Sequence, residues 1–225
     1  MKYTTLYFDL DNTLLDFSLT EKNAINKLLK LNGIEPKPEY VKTYSEINLK
    51  FWKRFERGEI KREEIFTGRF IEFTESIGVK ADVIKMSDDY FEFLSQGHYV
   101  MPGAKEVLEY VKNKDYTVCI TTNGVAKTQH KRIADSGLKK YFDYIIISED
   151  TGHQKPEKEY FDYAVKHTPE KNRNRILIIG DSQSSDILGG KNSGIDTCFI
   201  NPKGEKPEHI PTYTVNNIIG IMDIL

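Results

Sequence analysis

Tyr3-Thr4-Thr5-Leu6-Tyr7-Phe8-Asp9-Leu10-Asp11-Asn12-Thr13 is an apolar, strand-like run that ends abruptly in two aspartates. Its apolar part is continuous rather than alternating, as in a strand covered on both faces. In extended chain, residues two apart point the same way, so Asp9 and Asp11 sit side by side. Two such carboxylates raise one another's pKa unless a cation neutralises them. Outward from this run, comparable strands read at Thr117–Thr121, Tyr144–Ile147, Arg175–Ile179 and Asp196–Ile200, with a weaker one at Tyr213–Val215. Between them lie helical patterns at Pro102–Lys114, Val125–Ser136, Pro156–His167 and Ser184–Ser193. Strand and helix alternating at this spacing predict βαβ units, hence an α/β, doubly wound (Rossmann-like) parallel sheet.

The stretch from Leu15 to Gly97 carries no good strand. It reads instead as four helices, Thr20–Leu31, Glu39–Glu56, Arg62–Ser76 and Ala81–Leu94, separated by the stop signals Asn32-Gly33, Gly58 and Gly78. The expected organisation is therefore an α/β core from residues 1–14 and 98–225 with a helical cap, 15–97, threaded in after the first strand. The length of 225 residues suits one large domain carrying such an insertion.

The 32 basic and 34 acidic residues leave a formal net charge of −2. That balance argues against a nucleic-acid polymer or an anionic membrane as partner, since both favour basic surfaces. No apolar run approaches the roughly 20 residues of a membrane span, and the N-terminal run meets Asp9 too early for a secretory core. Cys119 and Cys198 each lie in an apolar strand and read as buried thiols. A cytoplasmic protein is expected, as a monomer or homodimer.

In doubly wound sheets, ligands bind beyond the carboxyl ends of the strands. Asp9 and Asp11 follow the first strand. Thr121, Thr122, Asn123 and Gly124 follow the second. Ser148, Glu149 and Asp150 follow the third, with Lys155-Pro156 a few residues on, and Gly180, Asp181, Ser182 and Asp186 follow the fourth. An all-oxygen cluster without Cys or paired His suits a hard cation, Mg²⁺ before Zn²⁺. Mg²⁺ usually keeps waters or binds phosphate, and Lys155 with a hydroxyl would complete a cradle for phosphate oxygens. Asn123-Gly124, just before a helix, offers backbone N–H groups to an anion. One aspartate of the first pair can act as a nucleophile, and its neighbour two residues on as a proton donor and then a base.

Asp9-Leu10-Asp11-Asn12-Thr13, Thr122-Asn123-Gly124, Lys155-Pro156 and Gly180-Asp181-Ser182-Gln183-Ser184-Ser185-Asp186 resemble, in order, the four motifs of the haloacid dehalogenase superfamily. The resemblance covers essentially the whole chain, and the helical block looks like the family's cap placed after the first motif. The Thr-Asn-Gly form and Ser148–Pro156 look most like the noncanonical pyrimidine 5'-nucleotidase branch.

The resemblance implies a Mg²⁺-dependent phosphomonoester hydrolase that works through an aspartyl-phosphate on small phosphorylated metabolites, nucleoside 5'-monophosphates among them. It implies Asp9 as nucleophile and metal ligand, and Asp11 as general acid/base lending its backbone carbonyl to the metal. Thr122 and Lys155 would hold the phosphoryl group with Asn123 and Gly124, and Lys155 would also restrain the Asp9 carboxylate. Asp181 would be a direct ligand, and Asp186 would act through water or from behind. A sugar-phosphate phosphatase or phosphomutase of the same superfamily is an alternative reading. Dehalogenation is disfavoured because the second aspartate is present. A phospho-accepting receiver domain, the non-enzyme alternative, is shorter and lacks a helical insertion. Asp16 and His153 read as loop residues. Glu149 and Asp150 share the rim, and Asn48, Phe51 and Trp52 read as cap core or as a substrate-facing wall.

Overall fold

A computed structural model describes all residues, Met1–Leu225. The chain divides into two compact units, Met1–Asp16 with Tyr99–Leu225, and Phe17–His98. The division falls a residue or two beyond the boundaries expected from sequence. The crossing residues are tied into the first unit, where Leu15 bridges to Val100 and the Asp16 amide donates to the Tyr99 carbonyl at 2.8 Å.

The first unit is built on six strands, β1 (Thr5–Phe8), β2 (Thr117–Thr122), β3 (Tyr144–Ile147), β4 (Ile176–Gly180), β5 (Asp196–Ile200) and β6 (Tyr213–Val215). All pairings are parallel and the spatial order is β3-β2-β1-β4-β5-β6. The doubly wound parallel sheet expected from the sequence is therefore present. The continuous apolar runs have their reason in its two covered faces. Leu6, Phe8, Val118, Ile120, Leu177 and Ile179 pack with Ala104, Val107, Leu108 and Val111 of α5 (Ala104–Asn113) and Ile133 of α6 (Ala126–Asp135). Their strand neighbours Tyr7, Cys119, Ile176 and Ile178 face the other way, against Tyr160, Phe161 and Ala164 of α8 (Lys158–His167). Both cysteines are buried free thiols, pushed well above the ordinary thiol pKa by burial.

Because β1 lies between β2 and β4, the connections from β1 and β4 depart in opposite senses. A crevice for ligands opens at such a reversal. Two local features depart from the sequence reading. A short helix α7 (Ser148–Thr151) follows β3 directly. The helix read at Ser184–Ser193 is a π-turn over Gln183–Ile187 that runs into α9 (Leu188–Ser193).

The second unit holds the four expected helices, α1 (Phe17–Leu31), α2 (Pro38–Glu56), α3 (Arg62–Ser76) and α4 (Val83–Ser95). Gly33, Gly58 and Gly78 follow the first three with φ of +71°, +70° and +68°, the left-handed cap conformation that glycine takes at no steric cost. Asp82 caps α4 through bonds from the Ile84 and Lys85 amides. The core of this unit is aromatic, with Tyr44 packed against Phe70, Phe73 and Tyr90, and Phe70 against Tyr90. Asn48 and Phe51 belong to that interior, and Trp52 packs edge-on to Phe55. Asn48 bridges the buried Glu21 carboxylate (2.7 Å) and the Arg69 guanidinium (2.8 Å). Nowhere in the chain is a helix long and apolar enough to cross a membrane.

Leu177 is fully buried in central strand β4. Leu177→Ala should cost about 2–5 kcal/mol, the range for a truncation that leaves a cavity. Denaturant unfolding checks this, and a loss under about 1 kcal/mol contradicts the two-sided packing of the sheet.

Candidate active site

The sheet's carboxyl edge gathers chemistry from four strand ends. Asp9 follows β1 directly, and its amide continues the ladder by donating to the Ile179 carbonyl at 2.8 Å. Lys155, from the segment after α7, is 1% exposed. Its Nζ donates to Asp9 Oδ1 (2.7 Å), Asp186 Oδ1 (2.7 Å) and the Thr121 carbonyl (2.9 Å). An ammonium has three donors, and here all three are used. The Lys155 main chain is clamped by Asn123, whose Oδ1 accepts from the Lys155 amide and whose Nδ2 donates to the Lys155 carbonyl, both at 2.8 Å.

Asp186 is fully buried in the π-turn, and its Oδ2 accepts from the Ser182 amide at 3.2 Å. It lies so close to the end of β4 that a Cβ on Gly180 would sit 2.1 Å from Asp186 Oδ2. Only glycine allows that approach. Oxygens of Asp9, Asp181 and Asp186 lie within 4.8 Å of one another.

Three carboxylates therefore face one ammonium. Burial pushes Asp9 up to about 7, with Lys155 pulling it down and Asp186 and Asp11 adding to the rise. Asp181 is likewise held well above the ordinary carboxylate range by loss of water and by Asp9 and Asp186. Burial alone would lower the Lys155 ammonium, but Asp186 and Asp9 outweigh it and hold the group above its ordinary value. Asp9 thus rises chiefly because it is buried, and Lys155 rises because two carboxylates face it. An all-oxygen donor set with uncompensated negative charge fits a hard divalent cation.

Asp11 points elsewhere. Its Oδ2 accepts from Gln129 Nε2 (2.7 Å) and its Oδ1 from Arg132 Nη1. Its side chain therefore stays out of the three-carboxylate cluster. Gln129 Nε2 also donates to Thr122 Oγ1 at 2.9 Å, and the Gly124 amide donates to the same oxygen at 3.1 Å. With two bonds accepted, the buried Thr122 hydroxyl has its own proton left to give.

The Gly124 N–H, expected to face a phosphate, donates to Thr122 Oγ1. The Asn123 side chain is committed to Lys155. The N-terminus of α6 is also occupied in part, since the Ala126 amide donates to Glu149 Oε2 at 3.0 Å. The glycine has a separate reason to be there. A Cβ on Gly124 would lie 2.2 Å from Gln129 Nε2.

Asp9, Lys155, Asp181 and Asp186 thus come together as one cluster, with Thr122, Asn123 and Gly124 beside it and Asp11 held at its edge. Gln129 and Arg132 were not singled out from the sequence. A signal for them exists: α6 has only Ile133 as a large apolar residue, so its inward face must bury polar side chains. Gln129 and Arg132, three apart, share that face.

Three clustered carboxylates, two of them bridged by a buried lysine, beside the switch point of a parallel sheet are the build of an α/β enzyme that handles an anionic substrate or a metal. The sequence pattern described as "Haloacid dehalogenase-like hydrolase" matches residues 6–200. The chain belongs to that family and is an enzyme of the hydrolase class.

The HAD-hydrolase YfnB of Bacillus subtilis is 39% identical over 226 residues, covering 100% of this chain and 96% of the relative. A crystal structure of YfnB bound to magnesium superposes with a TM-score of 0.95 at 38% identity, over 100% of this chain and 99% of that one. The pyrimidine 5'-nucleotidase PynA of Streptococcus pneumoniae is 34% identical, covering 100% of this chain and 96% of the relative. The pyrimidine 5'-nucleotidase YjjG of Escherichia coli is 31% identical, covering 100% and 99%.

Mg²⁺ at about 100 times its Kd should stabilise the protein by about 2.7 kcal/mol, roughly 5–10 °C in Tm for a chain of this size. Asp181→Asn should lose most of that shift while melting no lower than the parent without metal, because it removes a carboxylate from a crowded trio. Thermal melts with and without Mg²⁺ check this, and equal Mg²⁺ shifts in the two proteins contradict it.

Proposed function

We propose that this chain is a phosphomonoester hydrolase that forms an aspartyl-phosphate on Asp9, requires Mg²⁺, and acts on nucleoside 5'-monophosphates with pyrimidine or noncanonical bases. The observation that carries the proposal is the Asp9 carboxylate, buried at a strand end and held through one oxygen by Lys155. A carboxylate so tethered is a poor surface charge and a well-oriented nucleophile.

Asp9, Asp181 and Asp186 supply the carboxylates that would hold Mg²⁺, together with the Asp11 backbone carbonyl. The bound metal would offset charge on the phosphoryl oxygens. Lys155 adds a fixed positive charge beside the reacting centre without reorganising, because its three donors are already anchored. Thr122 donates its remaining O–H to a phosphoryl oxygen. An Asp9 oxygen bonds to phosphorus as the ester P–O bond breaks, and the leaving oxygen takes a proton from the Asp11 carboxyl. Asp11, now a carboxylate, takes a proton from the water that attacks the phosphorus of the aspartyl-phosphate. The P–O bond to Asp9 breaks, and inorganic phosphate leaves.

The substrate class is supported by the full-length similarity to PynA and YjjG, both pyrimidine 5'-nucleotidases. Asp9→Asn should lower turnover of p-nitrophenyl phosphate by at least about 10³-fold, as loss of a nucleophile does. Activity retained by that variant overturns the mechanism. Ranked by kcat/KM, pyrimidine and noncanonical nucleoside monophosphates should lead a panel that includes purine nucleotides and sugar phosphates. Equal rates across the panel overturn the substrate assignment. Isomerisation of a sugar phosphate without phosphate release would identify a mutase instead.

A further inference from the structure

We propose that Gln129 and Arg132 are positioning residues for Asp11, a clamp on α6 that fixes the carboxyl group for leaving-group protonation and ties it to the phosphate-facing Thr122. This rests on the reading of Asp11 as the general acid.

Four bonds interlock the three side chains with Thr122. Arg132 Nη1 donates to Asp11 Oδ1 and to Gln129 Oε1 (2.9 Å), and Gln129 Nε2 donates to Asp11 Oδ2 (2.7 Å) and Thr122 Oγ1 (2.9 Å). A primary amide nitrogen and a guanidinium Nη each have two protons, so each donor is fully used. The amide orientation follows. Turned over, Gln129 would aim its oxygen at the Asp11 carboxylate and its nitrogen at the Arg132 donor.

Gln129 is 1% exposed and Arg132 is 0% exposed. Burying an amide and a guanidinium is costly where an apolar pair of similar volume would pack as well, so their presence asks for another reason. Gly124 leaves room for Gln129 as it stands, since a Cβ there would lie 2.2 Å from Gln129 Nε2. The bonds reach both oxygens of the one carboxylate that the reaction needs as an acid. They do not reach Asp9, Asp181 or Asp186. A protonated carboxyl keeps an acceptor lone pair on each oxygen, so the clamp can hold Asp11 before and after it gives its proton. Through Gln129, the hydroxyl that would meet the phosphate and the carboxyl that would meet the leaving oxygen are set in one frame.

The test compares two leaving groups in the Mg²⁺-loaded enzyme. A nucleoside 5'-monophosphate leaves as an alkoxide and needs the proton. p-Nitrophenyl phosphate leaves as a delocalised phenolate and needs it little. Because kcat/KM covers only the steps through release of the leaving group, it isolates this proton transfer from the later attack of water. Gln129→Leu and Arg132→Met should lower kcat/KM for the nucleotide by about 10–100-fold and for p-nitrophenyl phosphate by under about 3-fold. Arg132→Lys, which keeps a cation, should recover part of the nucleotide rate. Loss of folded protein lowers both substrates equally, so the ratio of the two reads positioning even in a weakened variant, and Gln129→Leu alone suffices if Arg132→Met does not fold. Equal losses on both substrates, or no loss on the nucleotide, overturn the clamp while leaving the phosphatase reading in place. A wild-type enzyme inactive on both overturns that reading and the clamp with it.

Discussion

Lys155 Nζ has three protons, and the fold offers it three acceptors from three directions: Asp9 at the end of β1, the Thr121 carbonyl in β2, and Asp186 in the turn after β4. The lysine itself arrives from the segment after β3, its backbone clamped by Asn123 at the end of β2. One buried ammonium therefore ties together four successive βα connections. Such a group has no tolerance for drift, because an unpaired charge in this position would cost several kcal/mol. The parallel sheet brings the strand ends within reach, and Lys155 sets how they meet.

The same centre is out of electrostatic balance on its own. One ammonium faces three carboxylates, and burial with mutual repulsion lifts Asp9 to about 7. Asp11 adds to that rise, although its own side chain is bonded to Arg132 and Gln129 and not to the trio. Two aspartates only two residues apart thus have different partners, Lys155 for Asp9 and Gln129 with Arg132 for Asp11. The near-neutral net charge of −2 also acquires a meaning. On the proposed reading, the surface need not attract an anion, because the groups that would handle it are concentrated at one strand edge.

Much of this architecture was legible in the sequence. Short apolar runs mark the strands, and the three that end in Asp, Thr-Asn-Gly or Gly-Asp mark the rim they open onto. Helix lengths in the second unit followed from its glycine stops. What escaped notice has a common cause, since side chains buried by polar bonding look like solvated ones. Gln129 and Arg132, on a helix with one large apolar residue, resemble an exposed face until Asp11 is placed opposite them. Glu149 gave no sign that it would bond the start of α6. The π-turn at Gln183–Ile187, which carries the Asp186 that Lys155 bonds, interrupts a pattern that reads as plain helix.

The central claim is that Asp9 itself carries the phosphoryl group between two displacements. The stereochemical course at phosphorus tests it most directly, using an isotopically chiral phosphorothioate ester hydrolysed in labelled water. Two successive in-line displacements, the first by Asp9 and the second by water, predict retention of configuration. Inversion would mean that water attacks the ester directly, and would contradict the account.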